Sequence, residues 1–211
     1  FVFLRHRGEL IFPSLVSLTL LLVLLSVPFF PTTREIFSPY QMLALQTKRN
    51  TVPTIETGTI YYQRMLTMQI PPPSPGSDAS YRAYYSFPYL FQPRPGRVMV
   101  VGSGSGNDVA AAIANQARAV DAVEIDPASY KLGNILHPDS PYQHPAVKGH
   151  IDDARSFLQR TPHRYDLIVY GLLDSHILLT SLSGGIRQDS YVYTVEGLQQ
   201  ARRRLAPGGI I

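Results

Sequence analysis

Three glycines at alternate positions, Gly102, Gly104 and Gly106 in VVGSGSGND, follow directly on the apolar run RVMVV. Without side chains there, a phosphate or nucleoside can approach the backbone, and the helical composition of NDVAAAIANQA promises the unpaired N–H groups of a first helical turn. Glu124, at the end of the next apolar run, stands 20 residues after Gly104, placed to accept hydrogen bonds from two ribose hydroxyls. To this point a dinucleotide fold and an adenosyl-group transferase fit equally. The dinucleotide fingerprint, however, asks for glycine or alanine at position 107, where this chain has Asn. Asp152 and Asp153 close a third run, AVKGHI, where an acid can bind the exocyclic amine of adenine. Three ligand-facing positions on three successive strand ends favour an adenosyl ligand. The competing reading makes the acids helix caps: Asp153 opens DARSFL, and Asp126 precedes Pro127.

Asp174 and His176 follow a fourth run, YDLIVY, and can orient or deprotonate an acceptor; the plainer alternative is a loop that caps a helix. His137, His144 and His150 have no metal-ligand spacing and read as part of a turn-rich surface segment, so no metal site is expected. The chain has no Cys, which excludes disulfides, thiolate catalysis and Cys-based zinc sites. Its net charge of +4 is scattered apart from Arg202, Arg203 and Arg204. That run reads as a solvated helix face, so nucleic acid is not an expected partner.

From residue 96 onward, strand-like and helix-like segments alternate, each strand almost continuously apolar. This predicts an α/β domain with a doubly wound, mostly parallel sheet covered on both faces, its ligand at the carboxyl ends of the strands. Residues 36–70 hold short β-branched and aromatic runs broken by Asn50, Pro53 and Gly58, which predict a small antiparallel β unit. PPPSPGSDAS, residues 71–80, reads as irregular, and residues 71–95 as a linker or crossover. Residues 10–30 run 21 residues without a charge, long enough for a transmembrane helix within a membrane segment 1–35, with a signal peptide as the competitor. The opening Phe1 and the final LAPGGII suggest a fragment of a longer protein, incomplete at its C-terminus.

In order and spacing, RVMVVGSGSGND, AVEIDP, DDARSFL, YDLIVYGLLDS and VYTVEGLQQARRRLAPGG resemble the successive motifs of the spermidine synthase family of aminopropyltransferases. That family belongs to the class I S-adenosylmethionine-dependent transferase fold. SPYQMLAL resembles its S-x-Y-Q opening strand, so the likeness covers about residues 38–211, and the apolar segment is similar to bacterial versions fused to transmembrane helices. The resemblance implies that Gln41 and the Gly102–Gly106 loop hold the ligand, Glu124 the ribose and Asp153 the adenine. It also implies a cofactor, S-adenosylmethionine or its decarboxylated form, and a bacterial inner-membrane location with the α/β domain facing the cytoplasm.

The departures from the family are specific. Its loop Asp, which helps hold the amine end, becomes Ser105, and the Asp that deprotonates the attacking amine falls on Gly171, leaving only the second acid, Asp174. Its Tyr-His-Glu segment becomes Tyr81-Arg82-Ala83, and its late Glu-Phe-Tyr becomes Glu196-Gly197-Leu198; Tyr193-Thr194 matches a position near the acceptor pocket. The nucleoside half of the site is kept and the polyamine half is mostly lost. A polycationic acceptor needs carboxylates to replace its hydration, whereas methyl transfer asks mainly for positioning. The sequence therefore predicts a membrane-anchored transferase moving a methyl or aminopropyl group to an unknown small-molecule acceptor. The alternative is a catalytically inactive nucleoside-binding sensor module, and a homodimer is compatible with both.

Overall fold

The computed structural model describes residues 16–23, 33–46, 53–57, 60–69, 77–171 and 192–211. The chain divides into two compact units, Phe1–Thr33 and Arg34–Ile211. In the first, α1 includes residues 16–23. Among the described residues no helix is long and apolar enough to cross a membrane. This corrects the expected membrane anchor, the membrane-fused family version, and the inner-membrane location with a cytoplasmic α/β domain that depended on it. An uncharged apolar run supplies the hydropathy of a span, which is a weaker condition than a continuous apolar helix of about 20 residues.

The second unit opens with a four-stranded sheet in the order β1 (Thr33–Phe37), β2 (Met42–Gln46), β3 (Thr54–Thr57), β4 (Ile60–Arg64). β2 pairs antiparallel with β3 and β3 with β4, as the short β-branched runs predict. Leu43, Leu45, Ile55 and Met65 bury one side of this sheet against Leu132 of α5 (Pro127–Leu136). Each such aliphatic side chain, fully removed from water, contributes roughly 1.5–3 kcal/mol.

The larger sheet is parallel throughout, in the order β7 (Val147–Ile151), β6 (Ala119–Glu124), β5 (Arg97–Val101), β8 (Tyr165–Tyr170), β9 (Leu205–Ile210). Chain order reverses between β5 and β8, so a doubly wound sheet opens its crevice beyond the carboxyl ends of those two strands. Residues of β5 alternate sides. Val98 and Val100 meet the Val109–Ala112 face of α4 (Asn107–Ala114), while Met99 and Val101 meet Phe157 and Leu158 of α6 (Ala154–Arg160) and Ala201 of α7 (Val195–Arg203). Small alanines let α4 lie close to the sheet, which sets its N-terminus directly behind the glycine loop.

Three local expectations change. Residues expected to be irregular up to position 80 include the start of α2 (Ser77–Ser86), followed by α3 (Pro88–Phe91). The prolines that suggested a linker end at Pro75, and Ser77 and Asp78 are residues that favour helix starts. β9 begins at Leu205, earlier than the expected Ile210, with a register shift between Tyr165 and Leu167 that accommodates Pro207 and the left-handed Gly208 (φ 76°). Arg204 is not a solvated charge: its guanidinium donates to the carbonyls of Leu158 (2.8 Å) and Gln159 (2.7 Å) near the end of α6.

Candidate functional site

The loop between β5 and α4 requires its glycines. Gly102, Gly104 and Gly106 have φ of 67°, 52° and 105°, in the left-handed region that disfavours a side chain. Glu124, at the end of β6, ties the loop down. Its Oε2 accepts from the Gly104 N–H (2.6 Å) and its Oε1 from the Asp126 N–H (2.8 Å). Burial pushes its carboxyl pKa up, and the backbone donors of Asp126, Gly104 and Ile125 pull it partly back. Each carboxylate oxygen retains a second lone pair for a ligand hydroxyl.

The other expected ligand residues gather around this acid with different attachments. Gln41 Nε2 donates to Asp126 Oδ2 (3.1 Å), which also accepts from the Ser38 hydroxyl (3.1 Å), so the β1–β2 turn is fastened to the loop after Glu124. Asp126 caps α5 through Ala128 N–H (2.8 Å). Asp152 donates its N–H to the Glu124 carbonyl (2.9 Å), and its carboxylate pairs with Arg160. Asp153 accepts from Ser156 N–H (2.8 Å), the capping arrangement weighed for it. Thus Glu124 is bonded directly to the glycine loop, Gln41 reaches it through Asp126, and Asp152 and Asp153 follow at the end of the neighbouring strand. Asp174 and His176 lie outside the described residues. Tyr193 donates its hydroxyl to the Gly171 carbonyl (3.1 Å), beside the end of β8.

Several residues at this site escaped the sequence reading. Gln63 Oε1 accepts from both the N–H (3.0 Å) and the hydroxyl (2.7 Å) of Ser105, so the end of β4 supplies a side chain that touches the loop. The Tyr142 hydroxyl lies 2.9 Å from Ser103 Oγ and donates to the Gly104 carbonyl (2.7 Å). Gly133, inside α5, lets the helix touch the loop: a Cβ there would sit 2.3 Å from the Ser105 carbonyl oxygen. A glycine inside a helical pattern was the available signal.

Asn107, the residue that departs from the dinucleotide fingerprint, is a clamp. Its Oδ1 accepts from Leu66 N–H (2.9 Å), and its Nδ2 donates to the Arg64 carbonyl (2.7 Å) and the Tyr85 hydroxyl (3.0 Å). His137 completes it. This ring is buried, not on the surface as expected, with Nε2 3.1 Å from Asn107 Oδ1 and Nδ1 accepting from Asp139 N–H (3.1 Å). Burial lowers its pKa to about 4, so the ring is neutral and Nε2 carries the proton. Asn107→Ala leaves the buried Leu66 N–H without that acceptor and removes a donor to Arg64. The expected loss is about 2–4 kcal/mol of stability, read as a lower denaturant midpoint at unchanged slope.

Asp108, next along α4, is buried against the end of β8. Its Oδ2 lies 2.9 Å, and its Cγ 3.5 Å, from where a Cβ on Gly171 would stand, and the Gly102 carbonyl oxygen is 3.5 Å from the same point. Burial pushes its carboxyl up to about 7, while its own backbone N–H offsets part of that rise. A carboxyl group therefore occupies the crevice at position 171 although the residue there has no side chain.

No family model matches the chain. Solved structures do resemble it. One is a spermidine synthase in complex with the transition-state analogue AdoDATO, 16% identical, with a TM-score of 0.56 over 82% of this chain and 53% of that one. Another is the spermidine synthase of Thermotoga maritima, 14% identical, TM-score 0.57, covering 82% and 54%. A third is a probable spermidine synthase from Corynebacterium glutamicum, 20% identical, TM-score 0.57, covering 85% and 62%. The chain shares the fold of these spermidine synthases and spans between half and two thirds of their length.

Proposed function

We propose that the unit Arg34–Ile211 binds an adenosyl ligand, S-adenosylmethionine or its decarboxylated form, over the Gly102–Gly106 loop. On this reading the protein is a spermidine synthase-like transferase that moves a methyl or aminopropyl group to a small-molecule acceptor. The observation that carries the reading is the bond from Gly104 N–H to Glu124 Oε2. It places the acid at the end of β6 against the loop at the end of β5, where the loop can admit a nucleoside while the acid meets its ribose. The likeness in fold to spermidine synthases supports the same ligand class.

With the ligand bound, a sulfonium supplies the activated carbon. The chain's own part is then to position it: the glycine loop admits the nucleoside, Glu124 receives the ribose hydroxyls, and Asp152 and Asp153 stand at the next strand end for the base. Paired titrations of adenosine and 2′-deoxyadenosine test the ribose role. The wild-type protein is expected to favour adenosine by about tenfold, and Glu124→Gln is expected to erase that preference. Equal affinity of the wild-type protein for both nucleosides would remove Glu124 from the site.

A further inference from the structure

Arg82, in α2, carries a charge that the nucleoside reading leaves unused. Its Nε and Nη1 are sealed from solvent, and neither meets a hydrogen-bond acceptor among the described residues. Other arginines of this unit are provided for: Arg97 pairs with Asp121 (3.2 Å), Arg160 pairs with Asp152, and Arg204 donates to the carbonyls of Leu158 and Gln159. A guanidinium cannot shed its proton to escape burial, so only an acceptor relieves the cost.

The position of Arg82 follows from its neighbour on the helix. Tyr85, three residues on and on the same side of α2, accepts from Asn107 Nδ2 (3.0 Å), and Asn107 is the residue after Gly106 of the glycine loop. Arg82 therefore stands about 4.5 Å along the helix axis from the residue that ties α2 to the start of α4. The two adenosyl ligands differ by one group: S-adenosylmethionine has a carboxylate on its amino-acid arm, and the decarboxylated form has none. A carboxylate offers two anionic oxygens to the planar guanidinium, whereas a cationic group there would be repelled. We infer that Arg82 binds the carboxylate of the ligand's amino-acid arm and so selects S-adenosylmethionine over its decarboxylated form. The inference rests on the adenosyl-ligand reading, which supplies the nucleoside and leaves the choice between the two forms open.

Calorimetric titrations of the full chain with S-adenosylmethionine, decarboxylated S-adenosylmethionine and adenosine, in the wild-type protein and in Arg82→Met, test the assignment. Met keeps an unbranched, flexible side chain without the charge or the donors, and loss of an unpaired buried charge is expected to leave the melting temperature unchanged or raised. The wild-type protein is expected to bind S-adenosylmethionine about tenfold to a hundredfold more tightly than the decarboxylated form. Arg82→Met is expected to bring the two to parity without changing the affinity for adenosine, which has no arm to meet Arg82. Arg82→Lys, which keeps the charge but not the planar fork, is expected to retain part of the preference, and it carries the test should Arg82→Met not fold. Parity in the wild-type protein, preference for the decarboxylated form, or a preference for S-adenosylmethionine undiminished in the folded variants would overturn the role of Arg82, while adenosine binding would keep the nucleoside reading intact. If none of the three binds to folded wild-type protein, the nucleoside reading falls, and the inference falls with it.

Discussion

Gly133→Ala is expected to destabilise the protein by about 2–4 kcal/mol and to abolish nucleoside binding. In an exposed helix the same change would stabilise by up to about 1 kcal/mol, because alanine is the better helix former. Here the new Cβ would stand 2.3 Å from the Ser105 carbonyl oxygen, 2.6 Å from its carbon and 2.7 Å from its Cα. All three are backbone atoms, so no rotamer relieves the overlap; either α5 retreats or the glycine loop moves. α5 is held from the other side by the β unit through Leu132, and the loop by Glu124, Gln63 and Tyr142. The overlap therefore breaks one of these attachments. Thermal melting together with adenosine titration checks both halves of the prediction. A variant as stable as the wild type, with unchanged affinity, would show that loop and helix do not need this close approach.

Asp108→Asn is expected to stabilise the protein above neutral pH. The carboxyl is raised from an ordinary 3.8 to about 7 in the folded state, so between those values the folded chain binds more protons than the unfolded one. Stability from this group is accordingly complete below about pH 4, declines as pH rises, and levels off above about pH 7. Three pH units correspond to about 4 kcal/mol, or on the order of 10 °C in melting temperature for a chain of this size. The amide variant has no proton to lose, so its advantage should be small near pH 4 and largest above pH 7. Glu124, whose pKa burial also raises, titrates in both proteins and drops out of the difference. A variant less stable than the wild type at pH 8 would mean that the ionised carboxylate serves the fold.

Contiguous apolar strands made the parallel sheet legible, since β5, β6 and β8 are buried on both faces and their side chains need not alternate in polarity. The glycine loop and Glu124 were legible too, because their spacing follows from one strand, one turn and one helix. Contacts between distant segments were not. Gln63 meets Ser105 across 42 residues, and Asp108 meets Gly171 only because α4 and the end of β8 converge on one crevice. Locally, Asp108 reads as an acid in the first turn of a helix, favourable to the dipole and unremarked. Asn107 looked like a failed fingerprint glycine, and its use as a clamp depends on the segment after β4 crossing it. The apolar run at 10–30 suggested a membrane span because hydropathy reports what a segment could tolerate, whereas no helix among the described residues is long and apolar enough to cross a membrane.

The most direct test of the adenosyl-ligand account is calorimetric titration of the 211-residue chain with S-adenosylmethionine and decarboxylated S-adenosylmethionine in parallel, with Glu124→Ala as the control and circular dichroism to establish folding. The account predicts saturable one-to-one binding of at least one of the two, weakened by about tenfold or more in the variant. Absence of heat with both ligands, from a protein shown to be folded, would contradict it.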